Sequence, residues 1–122
     1  MDFGAWNLEF VFIMLTWNDF EKVEIRVGTI IAVNDFPEAK SPAYKLTIDF
    51  GEFGIKKSSA QITKLYPKEE LLHKQVIAVV NFPPKQIANF FSECLLLGVV
   101  GDEKEIILLE PERPVNNGLR IG

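Results

Sequence analysis

The sequence predicts an all-β fold, a small barrel with one short helix after its third strand. Three observations carry this: long runs of period-two alternation, short apolar runs punctuated by Gly and Pro, and a single stretch with helix-end chemistry. The 122 residues, 48% of them apolar and ten of them Phe, suffice for one domain with one core.

The first strand is the clearest. Val23, Ile25, Val27, Thr29, Ile31 and Val33 alternate with Glu24, Arg26, Gly28 and Asn34, as a strand with one buried face requires. Gly28 within it reads as a bulge or bend where the strand curls. The turn-rich segment from Asp35 to Pro42 ends it. In the second strand Tyr44, Leu46, Ile48 and Phe50 form the buried set, and Lys45, Thr47 and Asp49 the polar one. Gly51 and Gly54 bracket a tight connection to a third strand, about Ile55 to Ile62.

Pro67 to His73 reads as the helix: proline in its first turn, Glu69 and Glu70 near the positive end of its dipole, His73 and Lys74 at the other. Gln75 to Phe82 and Leu95 to Val100 are apolar enough for central strands, separated by a stiff Pro83-Pro84-Lys85 turn. The Gly101-Asp102 loop makes a hairpin with a last strand, Glu105 to Leu109, and the Pro111–Gly122 tail is extended. Five or six strands with a helix after the third is the order of an OB barrel, a five-stranded Greek-key barrel whose groove binds oligonucleotides or oligosaccharides.

Several function classes find no support. A serine or cysteine hydrolase needs a histidine near its nucleophile, and the only one, His73, stands at a helix end among lysines and leucines, while one His and one Cys cannot supply a tetrahedral zinc site within one chain. Neither phosphate-loop motif, G-x-x-x-x-G-K-[ST] or G-x-G-x-x-G, is present. The expectation is a protein that is not an enzyme and needs no cofactor. No stretch approaches the ~20 apolar residues of a membrane-spanning helix, and Phe10–Leu15 lacks a basic leader. The lone Cys94 sits in an apolar strand. These features point to the cytoplasm, without membrane insertion.

The net charge of -4 conceals an uneven distribution. Residues 1–39 sum to -5, residues 40–86 to +4 and residues 87–122 to -3. All eight basic residues of the middle third are lysines. A basic island suits phosphates, and equally a solvated sheet surface. Lys56 to Lys64 interleaves cations with hydroxyl and amide groups, Asn81 to Gln86 is a rigid corner with a cation and two amides, and Asn89 to Glu93 places Phe90 and Phe91 beside polar groups. Rings beside lysines suit unpaired RNA, whose bases stack while ammonium groups hold phosphates. The two phenylalanines fit the core as well.

The strings E-I-R-V-G-T-I (24–30), F-P-E-A-K-S-P-A-Y-K-L (36–46), I-D-F-G (48–51), K-K-S-S-A-Q-I-T-K-L-Y (56–66), V-V-N-F-P-P-K-Q-I-A-N-F (79–90) and P-V-N-N-G-L-R-I-G (114–122) resemble the CsaA family. More loosely, R-V-G at 26–28 and the Asn81, Pro84, Lys85, Ser92, Glu93 framework resemble the tRNA-binding domains of methionyl- and phenylalanyl-tRNA synthetases. The resemblance covers residues 14–122 and leaves 1–13 as an N-terminal extension. There Phe3, Trp6, Phe10, Ile13, Trp17 and Phe20 are spaced for one helical face, or for a terminus docked on a sheet.

What the resemblance implies is an OB barrel that binds tRNA by its structure, as a homodimer joined through its terminal extensions. The alternative it implies is a chaperone holding unfolded export precursor polypeptides in the same groove. Carried onto this chain, the groove comprises Lys45, Lys57, Ser58, Asn81, Lys85, Phe90 and Ser92. Lysines would meet phosphates, Asn81 and the serines ribose or base edges, and Phe90 a stacked base or an apolar peptide side chain.

Overall fold

The computed structural model describes residues 13–122. A single-turn helix α1 (Trp17–Glu21) precedes the barrel, capped by Thr16, whose Oγ1 accepts from the Asp19 N–H at 3.0 Å. Then follow β1 (Ile25–Asp35), β2 (Tyr44–Asp49), β3 (Ile55–Ala60), helix α2 (Lys68–Leu71), β4 (Gln75–Val79), β5 (Lys85–Ile87), β6 (Phe90–Ser92), β7 (Leu95–Leu96), β8 (Gly98–Val100) and β9 (Ile106–Leu108). One sheet runs in the order β3-β2-β1-β4-β7, every pair antiparallel, and β5-β6 and β8-β9 are separate hairpins. The sheet curls until β3 meets the chain at Glu93, whose N–H donates to the Lys57 carbonyl at 2.7 Å. The result is the nearly closed five-stranded OB-like barrel that the strand order predicts, with α2 after β3.

The core follows the alternation in β2, where Leu46 and Ile48 are buried and Lys45, Thr47 and Asp49 are not. Phe50, Leu71, Val76 and Ala78 complete it, all fully enclosed. In β1 the buried set differs from the simple alternation. The register shifts between Ile30 and Ala32, so that Ile30 faces Ile48 and Val33 faces Leu46, and the intervening Ile31 is exposed. One extra residue flips the parity of everything beyond it. The irregularity therefore lies at Ile31 rather than at Gly28. Gly28 is there for close approach: a Cβ on it would stand 2.6 Å from Ile48 Cγ2 and 2.7 Å from the Phe50 ring.

Other differences have local causes. The helix is one turn, closed by His73 at φ 72°, whose N–H donates to the Ile30 carbonyl at 2.8 Å. The strand expected over Gln75–Phe82 stops at Val79 because Asn81 is drawn into bonds with the chain before β1, described below. Leu95 to Val100 is two strands: at Leu97 the N–H goes to Ile77 and the carbonyl to Leu109, handing the chain from the barrel to the β8-β9 hairpin. The β5-β6 hairpin is an element the sequence did not announce.

The tail lies along β1. Val27 N–H donates to Leu119 O at 3.0 Å, Gly118 N–H to Val27 O at 2.7 Å, and Ile121 N–H to Ile25 O at 2.8 Å, so residues 118–121 behave as an added antiparallel strand. Arg26 fastens it from the side. Its Nη1 donates to the Gly118 carbonyl and its Nη2 to Glu24, each at 2.9 Å, while the guanidinium lies 3.7 Å from the centre of the Phe53 ring. The Arg26 hydrogen bond above all, helped by the charges of Arg26 and Arg120, holds the Glu24 carboxyl below its usual range against a desolvation that outweighs either charge alone. Gln75 and Thr29 bind the same tail through Val115 and Asn117.

Phe3, Trp6 and Phe10 lie outside the described residues. Of the remaining positions in that aromatic spacing, Ile13 and Trp17 are largely exposed.

Candidate nucleic-acid interface

Because directly opposed residues in a sheet share a face, the register of β1, β2 and β3 specifies a block on the outside of the barrel. Asn34, Lys45 and Ser59 form one row, and Ala32, Thr47 and Lys57 the next. The β6 strand brings Phe90 over this block. Asn34, Lys45, Thr47, Lys57 and Phe90 surround an open hollow of about 150 Å³. Phe90 does not swing freely there, since the buried Phe36 ring meets it edge to face at 5.4 Å between centroids. The Lys45 ammonium stands 5.5 Å from the other aromatic partner, Phe36.

The β5-β6 hairpin also contributes to three further hollows joined by shared walls. Lys85 and Ser92, opposite one another in the hairpin, line two of them. The first, about 300 Å³, is largely apolar, with Phe82, Pro83 and Leu95. The last, about 560 Å³, is polar and runs beneath the Glu38–Ser41 loop past Gln61 and Gln86.

The structure thus brings together five of the seven residues expected in the groove, as two groups lining different hollows: Lys45, Lys57 and Phe90 in one, Lys85 and Ser92 in the others, with Phe90 and Ser92 two residues apart on the same face of the hairpin. Ser58 is not among them. It faces the core at 1% exposure, and its hydroxyl donates to the Cys94 carbonyl at 2.9 Å. Asn81 is exposed but already engaged, accepting from Glu24 N–H at 3.0 Å and donating to Lys22 O at 2.7 Å. That bracket holds the entry to β1 against the exit from β4. Ser92 is half engaged: its oxygen accepts from Ser59 N–H at 3.1 Å and its hydroxyl reaches the Cys94 carbonyl at 3.4 Å.

Sequence reasoning missed Asn34, Lys40 and the buttress Phe36 as parts of this face, whereas Gln61 lay in the Lys56–Lys64 segment it singled out. The Lys45–Thr47 alternation was signal enough for Thr47, and the bulge that puts Asn34 beside Lys45 left none. Burial pushes the Cys94 thiol up to about 11, against the opposing Ser58 hydrogen bond and Lys56 charge, which disfavours the reactive thiolate. Among the described residues no group of three or more potential metal ligands occurs, and no helix is long and apolar enough to cross a membrane.

An OB-like barrel with a lysine-bearing strand face and an aromatic-flanked hollow defines the class: a small OB-like binding domain. The chain belongs to the tRNA-binding domain family described as "Putative tRNA binding domain", whose model matches residues 25–120. The methionine–tRNA ligase of Nanoarchaeum equitans is 36% identical over 110 residues, covering 88% of this chain and 14% of the ligase. That of Pyrococcus abyssi is 34% identical over 105 residues, again 86% of this chain and 14% of the ligase. The chain therefore spans about a seventh of these relatives' length. Among solved structures, the CsaA chaperone protein from Picrophilus torridus is 55% identical with a TM-score of 0.84, covering 89% of this chain and 100% of that one. The chaperone CsaA of Bacillus anthracis is 48% identical with a TM-score of 0.86, covering 89% and 99%.

Proposed function

We propose that this chain binds tRNA, without catalysing a reaction on it, through the outer face of β1-β2-β3 and the hollows flanking the β5-β6 hairpin. The observation that carries the reading is the convergence of Lys45, Lys57 and Phe90 on one hollow in a domain of the tRNA-binding family. Lys57 and Lys85 form no ion pair among the described residues, so their charge is available to phosphates, whereas Lys68 and Lys74 are held by Asp35 and Glu110. A site of this kind operates where tRNA is, in the cytoplasm.

A second reading has its own support. The apolar hollow of Phe82, Pro83 and Leu95 suits a hydrophobic side chain of an unfolded polypeptide, and the two CsaA structures are described as chaperones. One experiment addresses both. Phosphate-led binding makes log affinity fall linearly with log salt, by about 0.7–0.9 per neutralised phosphate. Lys57→Ala combined with Lys85→Ala is expected to flatten that slope by roughly 1–2 without shifting the melting transition. An unchanged slope would remove these lysines from the site. Loss of protection of an unfolded polypeptide against aggregation, with tRNA binding intact, would shift the assignment to the second reading.

The active form is proposed to be a homodimer. Val99, Val100, Ile107 and Leu109 on the β8-β9 hairpin, and Met14, Leu15 and Trp17 ahead of β1, leave large apolar side chains in water. The tail's backbone is occupied on its own barrel, and of its large apolar side chains only Leu119 stands half exposed there. Sedimentation at low micromolar concentration should return twice the 13.8 kDa chain mass, and Val100→Lys with Ile107→Lys should reduce it to one. A wild-type monomer would overturn the dimer.

A further inference from the structure

The hollow beneath Phe90 contains more than a phosphate site needs. A phosphate asks for cations and N–H donors, and Lys45 and Lys57 supply the cations. The same hollow also presents the Asn34 amide and the Thr47 hydroxyl, neither of which makes a side-chain hydrogen bond among the described residues. Between them they offer donors and acceptors in both senses. That is the complement of a nucleobase edge, which alternates donors and acceptors, and not of a phosphate, which only accepts.

The geometry around these two groups is that of a base slot. Asn34 is opposite Lys45 and Thr47 opposite Lys57, in adjacent rows, and the corner completing the block is Ala32, whose methyl leaves the floor open. Phe90 forms the wall. Its ring is fixed edge to face by the buried Phe36, so a flat partner would meet it without first ordering it. The geometry points to this hollow taking one unpaired nucleotide of the bound RNA: its base stacks on Phe90 and is read along its edge by Asn34 and Thr47, while Lys45 and Lys57 hold the flanking phosphates. The inference rests on the tRNA-binding reading and refines it. A base inside a duplex has its pairing edge occupied and both faces stacked, so the slot selects loops, bulges or the single-stranded end.

The test uses the full chain and a short single-stranded RNA carrying 2-aminopurine, alone and annealed to its complement, with intact tRNA in parallel. Stacking on Phe90 is expected to change the 2-aminopurine fluorescence, and the single strand should bind at least about tenfold more tightly than the duplex. Asn34→Ala with Thr47→Val should weaken single-strand binding by about tenfold with an unchanged salt slope, because no charge is altered. Restoring the hydroxyl, as Thr47→Ser in the Asn34→Ala background, should recover part of the loss. Equal binding of single strand and duplex by the wild type overturns the slot without reference to any variant. So does unchanged affinity in the folded double variant. If the wild type binds no tRNA, the underlying reading falls. If tRNA binds with a lysine-dependent salt slope but is indifferent to Asn34 and Thr47, only the slot falls.

Discussion

A chain ending at Glu110 is expected to lose about 3–5 kcal/mol of stability, enough to erase much of the margin of a small domain. The first half of β1 pairs with β4 on one side only, and on the other its hydrogen-bonding groups go to the tail: Val27 N–H and O to Leu119 and Gly118, Ile25 O to Ile121. Cutting the tail returns these groups to water and uncovers Val27, which is 2% exposed with the tail in place. It also strips Arg26 of the Gly118 carbonyl and leaves Gln75 without Val115 and Asn117. Each exchange costs about 0.5–1.5 kcal/mol net, and the apolar cover adds to the sum. Gly118→Ala tests the same contact at full length. Gly118 sits at φ +92°, where a side chain is strained, and a Cβ would stand 2.6 Å from the Phe50 carbonyl oxygen. Urea denaturation should show a lower midpoint for both variants. A truncated chain melting like the full one would mean that the tail is ornamental to the fold.

This role bears on what was legible in the sequence. R-V-G at 26–28 is one of the strings that carry the resemblance, and all three residues act on the fold: Arg26 clasps the tail, Val27 pairs with it through its backbone, and Gly28 makes room for Ile48 and Phe50. The β2 alternation was readable because every second residue is apolar, and with it came the outward placement of Lys45 and Thr47. The buried set of β1 was not, because Val, Ile and Thr fill both parities from Thr29 to Val33 and only the paired strand reveals the bulge. The β5-β6 hairpin was invisible for another reason. Its strands have three residues each, and its turn runs through Ala88 at φ 53°, where a turn signature would have placed Gly or Asn. Ser58 reads as polar and exposed in any window, and only the Cys94 carbonyl across the barrel explains its burial.

The bonds that Ser92 and its neighbour Glu93 make to β3 give them a part in closing the barrel, and this predicts an effect on fold and binding together. At its second edge β3 has no full strand partner. Instead the Lys57 N–H is taken by Glu93 Oε1 at 2.9 Å and the Ser59 N–H by Ser92 Oγ at 3.1 Å, so two side chains seal the barrel where a ladder would otherwise run. The bond to the carboxylate is charge-assisted and the Ser59 amide is part-buried, so losing both acceptors is worth about 2–5 kcal/mol. Ser92→Ala with Glu93→Ala should therefore lower the unfolding free energy by that amount and with it the denaturation midpoint, while Glu93→Gln, which keeps an acceptor oxygen, should stay close to the wild type. Binding should follow the seam. The hollow of Lys57 and Phe90 and the hollows of Lys85 and Ser92 all take walls from the hairpin that Ser92 ends, so loosening it misplaces lysines and ring together. The double variant, assayed below its melting transition, should bind tRNA at least about tenfold more weakly, with the salt slope reduced as phosphate contacts are lost. If Ser92 instead acts by touching RNA, Ser92→Ala alone would weaken binding and leave the midpoint where it was. The denaturation curve and the titration, measured on the same variants, separate the two: a fall in both assigns Ser92 to the seam, and a fall in binding alone returns it to the interface.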